Sequence, residues 1–348
     1  MSNLAPPSIA DRLAAVERYD FRALHPRLAY GTASDRYAAW IGQVYPESWE
    51  AEVTTRAKKL GGESFEERLL PITSVVDYFQ HFGVLELDFT FYRPLVNPDG
   101  EPSPNYHVLR QYAEHAPDDA LFLLKAPQQF AARVLRRKGG FVENETYLDP
   151  TGFEQQFAEP AFDLLGERLA GVIFEQEYAR VRESPEPEAF VAELDRFFAE
   201  VPPLPYHLEV RSPHLLSPLY TDWLAANGLG FVFSHWTWLP SLQAQWKLVG
   251  KRFSSGDGEA ILRLLNPREM KYAAAFAHAY PFTDAVPDLS QTAQARTMIN
   301  EATALAYKAI EQGVTLFTIA NNRAWGNSPK LAQALSRRFL DFADRYGV

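Results

Sequence analysis

Eight short apolar runs recur along this chain of 348 residues, and helix-like segments separate them. Most of the runs are nearly continuous in apolar residues, as expected of parallel strands that are covered on both faces. Strands that alternate with helices predict parallel βαβ units, and eight such units predict a closed (β/α)8 barrel of the triosephosphate-isomerase (TIM) type. The runs span residues 27–33, 84–91, 120–127, 169–176, 205–212, 229–235, 260–266 and 314–322.

The segments between the runs are uneven in length, which predicts an irregular barrel. Long insertions follow the first, third and seventh runs, and we expect extra helices in them. Ser64 and Glu67, in the first insertion, have the spacing of a helix capping box. An open, doubly wound sheet is the alternative fold. We predict an N-terminal extension over residues 1–25 and a single barrel domain over residues 26–348.

Charge and cysteine content limit the classes of function. The formal net charge of −10 argues against broad electrostatic binding to nucleic acid. The absence of cysteine excludes disulfides, iron–sulfur clusters, thiolate zinc sites and cysteine nucleophiles. No apolar run approaches the roughly 20 residues of a membrane helix, and the N-terminus lacks the pattern of a signal peptide. We therefore predict a cytoplasmic protein that has no membrane partner.

Five segments of the chain carry a resemblance to a known family. They are YGTASDRYAAWIGQVYP (30–46), LELDFTFYR (85–93), FLLKAP (122–127), HLEVRSP (207–213) and NNRAWGNSPKLAQAL (321–335). In order and spacing they resemble the domain of unknown function 72, or YecE-like, family, from about residue 28 to residue 342. The resemblance implies a barrel of the TIM type, in agreement with the eight runs, and it implies no particular activity.

The chain departs from the usual pattern of that family at three places. Ser34-Asp35 stands where a Gly-Trp pair is common, and Arg263–Asn266 stands where Arg-x-His-Gly is common. Gln176-Glu177-Tyr178 replaces the leucine-proline-proline expected after the fourth strand. The resemblance therefore implies a divergent member of the family.

Charged residues interrupt several of the predicted strands. Glu86 and Asp88 share one face of the second run, because side chains alternate faces along a strand. An unpaired carboxylate is costly to bury, so this face must meet water, cations, a metal or a ligand. The same parity turns His207, Glu209 and Arg211 into the barrel, where functional groups gather at the C-terminal strand ends. Other candidates at these ends are Lys125, Glu175, His235, Arg263, Asn321 and Asn322.

This polar set predicts an enzyme that does acid/base chemistry on a small anionic substrate, phosphorylated or sugar-like. Glu86 or Glu209 would act as the general base, and Lys125 as the acid or electrophile. Isomerase, lyase and hydrolase activities all stay open. Arginine recognises anions through paired hydrogen bonds, and aromatic rings stack on sugars. The predicted substrate-binding residues are Asp88, Tyr92, Arg93, Arg211, His235, Trp236, Arg263, Asn321 and Asn322.

Four other interpretations of the same residues stay open. An internal ion-pair lattice would use the charges without chemistry. No cofactor is expected, but Mg²⁺ or Mn²⁺ is the alternative, because these ions prefer oxygen ligands. The other two are a nucleic-acid-binding or nuclease-like barrel, which the acidic charge disfavours, and a non-catalytic ligand-binding barrel. The metal ligands would be Glu86, Asp88, Glu175, Glu209 and His235.

Overall fold

Eight parallel strands close into one barrel in the computed structural model, which describes residues 7–137 and 140–346. Around the barrel the strand order is β1-β12-β11-β10-β9-β8-β5-β4, and β4 pairs with β1 to close it. Within the described ranges the strands are β1 Leu28–Ala33, β2 Thr54–Leu60, β3 Glu63–Leu69, β4 Val84–Leu87, β5 Leu121–Lys125, β6 Val134–Arg137, β7 Gly140–Glu143, β8 Leu169–Gln176, β9 Tyr206–Val210, β10 Gly230–His235, β11 Glu259–Leu264 and β12 Thr315–Ala320.

Helices connect the barrel strands and cover their outer faces. Each of the eight predicted runs coincides with one barrel strand to within one residue at its start, which confirms the TIM-type barrel and excludes the open sheet. The described helices are α1 Ile9–Glu17, α2 Val75–His81, α3 Phe89–Tyr92, α4 Pro104–His115, α5 Gln128–Ala131, α6 Pro150–Phe153, α7 Glu159–Leu165, α8 Pro187–Glu200, α9 Pro218–Ala226, α10 Leu242–Leu248, α11 Tyr272–Ala279, α12 Pro287–Ser290, α13 Ala293–Glu311, α14 Asn322–Trp325, α15 Ser328–Leu340 and α16 Ala343–Tyr346.

The segment before β1 packs onto the barrel. Helix α1 contacts α15, and Val16, Phe21 and Leu24 are buried in the main core. The first six residues of the predicted extension lie outside the described residues, as do residues 138–139 and 347–348 of the predicted domain. The division into extension and domain stays a prediction.

The long insertions occur where they were predicted, but two of them carry antiparallel hairpins. Strands β2 and β3 pair after β1, and β6 and β7 pair after β5, whereas helices α11 to α13 follow β11. The predicted capping box of Ser64 and Glu67 is wrong, because both residues lie in β3. Glu67 instead accepts hydrogen bonds from Arg56 Nε at 2.9 Å and Lys58 Nζ at 2.6 Å across the hairpin. The Gly-Gly turn at residues 61–62, with positive φ at both positions, is the signal that favours a hairpin here.

Side chains alternate between the barrel interior and the helix layer, as the parity of the runs predicts. Val84, Leu123, Ile173, Val232 and Ile261 fill the interior. The alternate residues of the same strands pack under the helices. The prediction fails only at the end of the second run, where β4 stops at Leu87 and residues 89–92 form α3. Asp88 is therefore not an inward strand residue, because the chain leaves the sheet before it.

Gly230 shows how tightly the barrel interior is filled near the N-terminal ends of the strands. It lies beside His207 in the β9–β10 register, and a Cβ at Gly230 would lie 1.9 Å from His207 Nδ1. The imidazole is completely buried, and burial lowers its pKa to about 4, so the ring is neutral. We expect Gly230→Ala to lower the free energy of unfolding by about 1–3 kcal/mol, because the closed barrel cannot move the ring away.

Urea denaturation of Gly230→Ala beside Gly256→Ala measures this effect. The nearest atom to a Cβ at Gly256 would be 3.6 Å away, an ordinary contact, so this control should change stability by less than about 0.5 kcal/mol. Equal stability of the two variants would show that the space around His207 is larger than the structure indicates.

Candidate functional site

Six charged side chains meet inside the C-terminal half of the barrel. Parallel pairing places the ends of neighbouring strands at the same edge, and the β8–β9 register sets Glu175 directly beside Glu209. Three carboxylates and three cations take part, so the cluster is formally neutral. The members of this ion cluster are Glu86 of β4, Lys125 of β5, Glu175 of β8, Glu209 of β9, Arg211 just after β9, and Arg263 of β11.

Arg263 lies at the centre of the ion cluster and is 3% exposed. Its Nε and Nη2 donate to the two oxygens of Glu86 at 2.8 and 2.6 Å, and its Nη1 donates to Glu209. Burial alone lowers the pKa of Arg263, but Glu209 and Glu86 more than offset this and raise it, so the guanidinium stays charged. Because all three nitrogens contact carboxylates, Arg263 holds the cluster together and is not open to an anionic ligand. These contacts do not favour the predicted substrate-binding role of Arg263, which stays a prediction.

The same contacts change the roles of Glu86 and Glu209. Both are completely buried, and Glu209 also accepts a hydrogen bond from Ser234 Oγ at 2.5 Å. Both carboxylates are therefore engaged by Arg263 below the mouth, and their role as general bases stays a prediction. Sequence reasoning missed Ser234, although it lies two residues from the inward-facing Val232 in β10.

Glu175 links the two cations nearest the mouth. Its Oε2 lies 2.6 Å from Lys125 Nζ and 2.8 Å from Arg211 Nη2. Burial alone raises the pKa of Glu175, but Arg211, Lys125 and Arg263 together hold it well below its usual range. Lys125 Nζ also lies 3.7 Å from the centre of the Phe91 ring. Lys125 and Arg211 therefore contact the same ionised carboxylate, that of Glu175.

A cavity of about 300 Å³ opens beside Arg211. The guanidinium carbon of Arg211 lies 4.3 Å from the centre of the Trp236 ring, and Tyr178 and Trp238 form a second aromatic pair with ring centres 6.0 Å apart. Arg211 Nη2 contacts Glu175 and Glu209, whereas its buried Nε has no hydrogen-bond partner in the described part of the chain. The cavity therefore has a cation on its floor and aromatic rings along its wall.

The remaining predicted residues are spread around the mouth. Tyr92 and Arg93 are exposed and Asp88 is half-buried, all three at the end of β4. Asn321 Oδ1 accepts a hydrogen bond from Arg323 N at 3.0 Å, and Asn322 Oδ1 accepts one from Ser328 N at 2.7 Å. These two asparagines shape the loop after β12.

His235 does not join the ion cluster. It lies on the outward face of β10 with Phe231 and Phe233, and its Nδ1 lies 2.8 Å from the carbonyl oxygen of Asn266. Burial lowers its pKa to about 4. Among residues 7–137 and 140–346, no group of three or more His, Asp or Glu side chains is arranged to hold a metal ion. The Mg²⁺ or Mn²⁺ alternative is left without a preformed site in the described part of the chain and stays a prediction.

Asp35 is a buried carboxyl group that sequence reasoning did not single out as a site residue. It follows β1 and is completely buried. Its Oδ1 accepts a hydrogen bond from Tyr112 Oη at 2.7 Å, and its Oδ2 has no hydrogen-bond partner among the described residues. Burial raises its pKa to about 6. It stands where the family resemblance leads one to expect a Gly-Trp pair. That departure from the family pattern is the feature of the sequence that could have drawn attention to Asp35.

Comparisons with known proteins agree with this architecture. The family model described as "Protein of unknown function DUF72" matches residues 29–344. A DUF72 family protein from Thermotoga maritima superposes with a TM-score of 0.56 at 15% identity, covering 90% of this chain and 99% of that one. One from Enterococcus faecalis superposes with a TM-score of 0.51 at 13% identity, covering 90% and 95%. Identities this low show the fold alone.

No curated protein matches the sequence. In the described part of the chain, no helix is both long and apolar enough to cross a membrane. The family model covers nine-tenths of the chain, the two crystal structures share its fold, and the motifs quoted above lie within the matched region. On this evidence the chain belongs to the DUF72 family.

Proposed function

We propose that the mouth of the barrel binds a small anionic, sugar-like ligand and does acid/base chemistry on it. The observation that carries this proposal is the state of Arg211. One nitrogen is anchored by Glu175 and Glu209, while Nε is buried without a partner at the edge of the cavity. A buried donor without an acceptor costs about 1–3 kcal/mol, so an acceptor from a ligand would be strongly favoured there.

Anchoring and stacking prepare Arg211 to bind an anion. Its planar group is held between the Glu175 carboxylate and the Trp236 ring, so little rotational freedom is lost when a ligand binds. The ion cluster is formally neutral, so the attraction depends on directed hydrogen bonds and not on a broad positive field. A phosphate or carboxylate group has the geometry to accept two such bonds.

The aromatic wall favours a ligand that has a ring. Trp236, Trp238 and Tyr178 line the cavity, and Trp238 and Tyr178 are about half exposed. Aromatic rings bind the apolar face of a sugar while leaving its hydroxyl groups free for hydrogen bonds. A volume of about 300 Å³ lies at the small end of ligand pockets and suits one sugar ring with its anionic group.

Lys125 does not line the cavity itself, but it contacts the same carboxylate as the cavity residue Arg211, and we assign to it the proton transfer or the stabilisation of a developing negative charge. It shares Glu175 with Arg211, and its side chain is 8% exposed, whereas those of Glu86 and Glu209 are completely buried. Glu175 stays ionised and orients both cations. Isomerisation, lyase cleavage and hydrolysis all need such a group, so the reaction class stays open.

The test is a thermal-shift panel of sugar phosphates, sugar carboxylates and the matched neutral sugars. A ligand at a hundred times its dissociation constant stabilises the fold by roughly 2.7 kcal/mol, a readily measured shift. We expect anionic sugars to stabilise the protein and neutral sugars to do so far less. Arg211→Lys keeps the charge that neutralises Glu175 but loses the planar fork, so it should weaken binding about 10-fold or more.

The matched control is Arg180→Lys, since Arg180 is exposed and its partner Glu183 is 3.7 Å away. This variant should bind the anionic sugars as the unmodified protein does. If anionic and neutral sugars stabilise equally, or if Arg211→Lys binds as tightly as the control, the proposal is wrong. Turnover assays on any sugar that binds, with Lys125→Met as the inactive variant, then test the acid/base part.

A further inference from the structure

We infer that the opposite rim of the barrel mouth, after β12, holds a second oxyanion-binding site formed by Arg323 and Asn322. Its ligand class is a phosphate, a sulfate or a carboxylate. Neither residue lines the cavity beside Arg211. The inference does not depend on the proposed function.

Arg323 is a half-buried cation whose charge is not neutralised. Among residues 7–137 and 140–346, no carboxylate forms an ion pair with it, whereas Arg211 and Arg263 each contact two or more. Its guanidinium carbon lies 4.4 Å from the centre of the Tyr272 ring, at the start of α11, and its buried Nε has no hydrogen-bond partner. Stacking on Tyr272 fixes the plane of the group and leaves its donors for a ligand.

Asn322 supplies a second, independent donor. Its side chain is 3% exposed, and its Oδ1 is used by Ser328 N at 2.7 Å. Its Nδ2 is buried and has no partner among the described residues. Buried amide donors are nearly always paired, so this unpaired Nδ2 indicates that an acceptor is missing from the site.

The two unpaired donors belong to adjacent residues at the C-terminal end of β12, the edge at which barrels bind ligands. Both are N–H groups, which suits an oxyanion and excludes a cation. Asp88 is a carboxylate on this rim: it raises the pKa of Tyr37, whereas Arg323 lowers it. It forms no ion pair with Arg323, so the guanidinium stays available.

Titration with inorganic phosphate and with sulfate, at constant ionic strength set with sodium chloride, tests the site. Thermal shift or calorimetry gives the dissociation constant. We expect Arg323→Gln to weaken binding about 10- to 100-fold, the effect of losing one charge-assisted hydrogen bond. Asn322→Asp keeps the acceptor for Ser328 but replaces the donor with an oxygen, and it should weaken binding by at least as much.

Arg296→Gln is the control, because Arg296 is exposed on α13 and far in sequence from the rim. It should bind phosphate as the unmodified protein does. Arg211→Lys should also retain phosphate binding at Arg323, which separates this site from the one under the proposed function. Phosphate binding that survives Arg323→Gln unchanged, or no phosphate or sulfate binding at all, would overturn the inference.

Discussion

Arg263→Ala is expected to lower the free energy of unfolding by about 3–5 kcal/mol, the largest effect among the substitutions considered. Among the described residues, the change removes the hydrogen bonds that the Glu86 carboxylate receives and one of those to the Glu209 carboxylate. Both carboxylates are completely buried. Glu209 keeps Arg211 and Ser234, but Glu86 would be left as an uncompensated charge or would have to take up a proton. Urea denaturation followed by circular dichroism measures the loss.

Arg252→Ala is the control for this prediction, because Arg252 pairs with Asp222 on the surface at 2.7 Å with both side chains more than half exposed. Surface pairs contribute about 0–1 kcal/mol, so this variant should remain close to the unmodified protein. A similarly small effect of Arg263→Ala would mean that water reaches Glu86 and Glu209, and the closed cluster described above would be wrong.

The second large effect depends on pH and centres on Asp35. Its pKa in the folded protein is about 6, above the ordinary 3.8. The folded state therefore binds this proton more tightly than the unfolded state does. The stabilisation is complete below pH 3.8 and is lost as the pH rises through 6, a change of about 3 kcal/mol for a group this buried.

Asp35→Asn removes this titration and keeps the Oδ1 acceptor for Tyr112. We expect the unfolding free energy of the variant, relative to the unmodified protein, to rise by about 3 kcal/mol between acidic pH and pH 7.5. Asp163→Asn, at an exposed position on α7, is the control and should show no such trend. A difference that does not change with pH would show that Asp35 is hydrated.

For the charged residues, the sequence predicted which side chains turn into the barrel better than it predicted what those side chains contact there. Strand parity correctly turned Glu86 and Glu209 inward, since alternation is a local property of the chain. It could not show that both would bind Arg263, because that residue is 177 positions from Glu86 and 54 from Glu209. An inward carboxylate looks the same in the sequence whether it meets a substrate or a guanidinium.

Local sequence patterns also gave wrong predictions where the same pattern is compatible with both a helix and a strand. Ser64 and Glu67 fit a capping box, yet their segment pairs with β2, and Glu67 is used by Arg56 and Lys58. The segment after Leu87 alternates Phe89 and Phe91 with polar residues, a strand-like pattern, yet it forms α3, and Phe91 contacts Lys125 at the mouth. Contacts with distant parts of the chain decided both cases.

The sequence by itself determined the barrel, the order of its strands and the inward-facing side of the strands that carry Glu86 and Glu209. These follow from continuous apolar runs and two-residue alternation, and burial of apolar surface is large enough to impose them on the fold. Only the tertiary structure decided which charges neutralise one another, which donors of Arg211, Asn322 and Arg323 stay unpaired, and where a cavity opens. The reason is that ion pairs and cavities form between strands that are distant in sequence, and their geometry exists only once the barrel has closed.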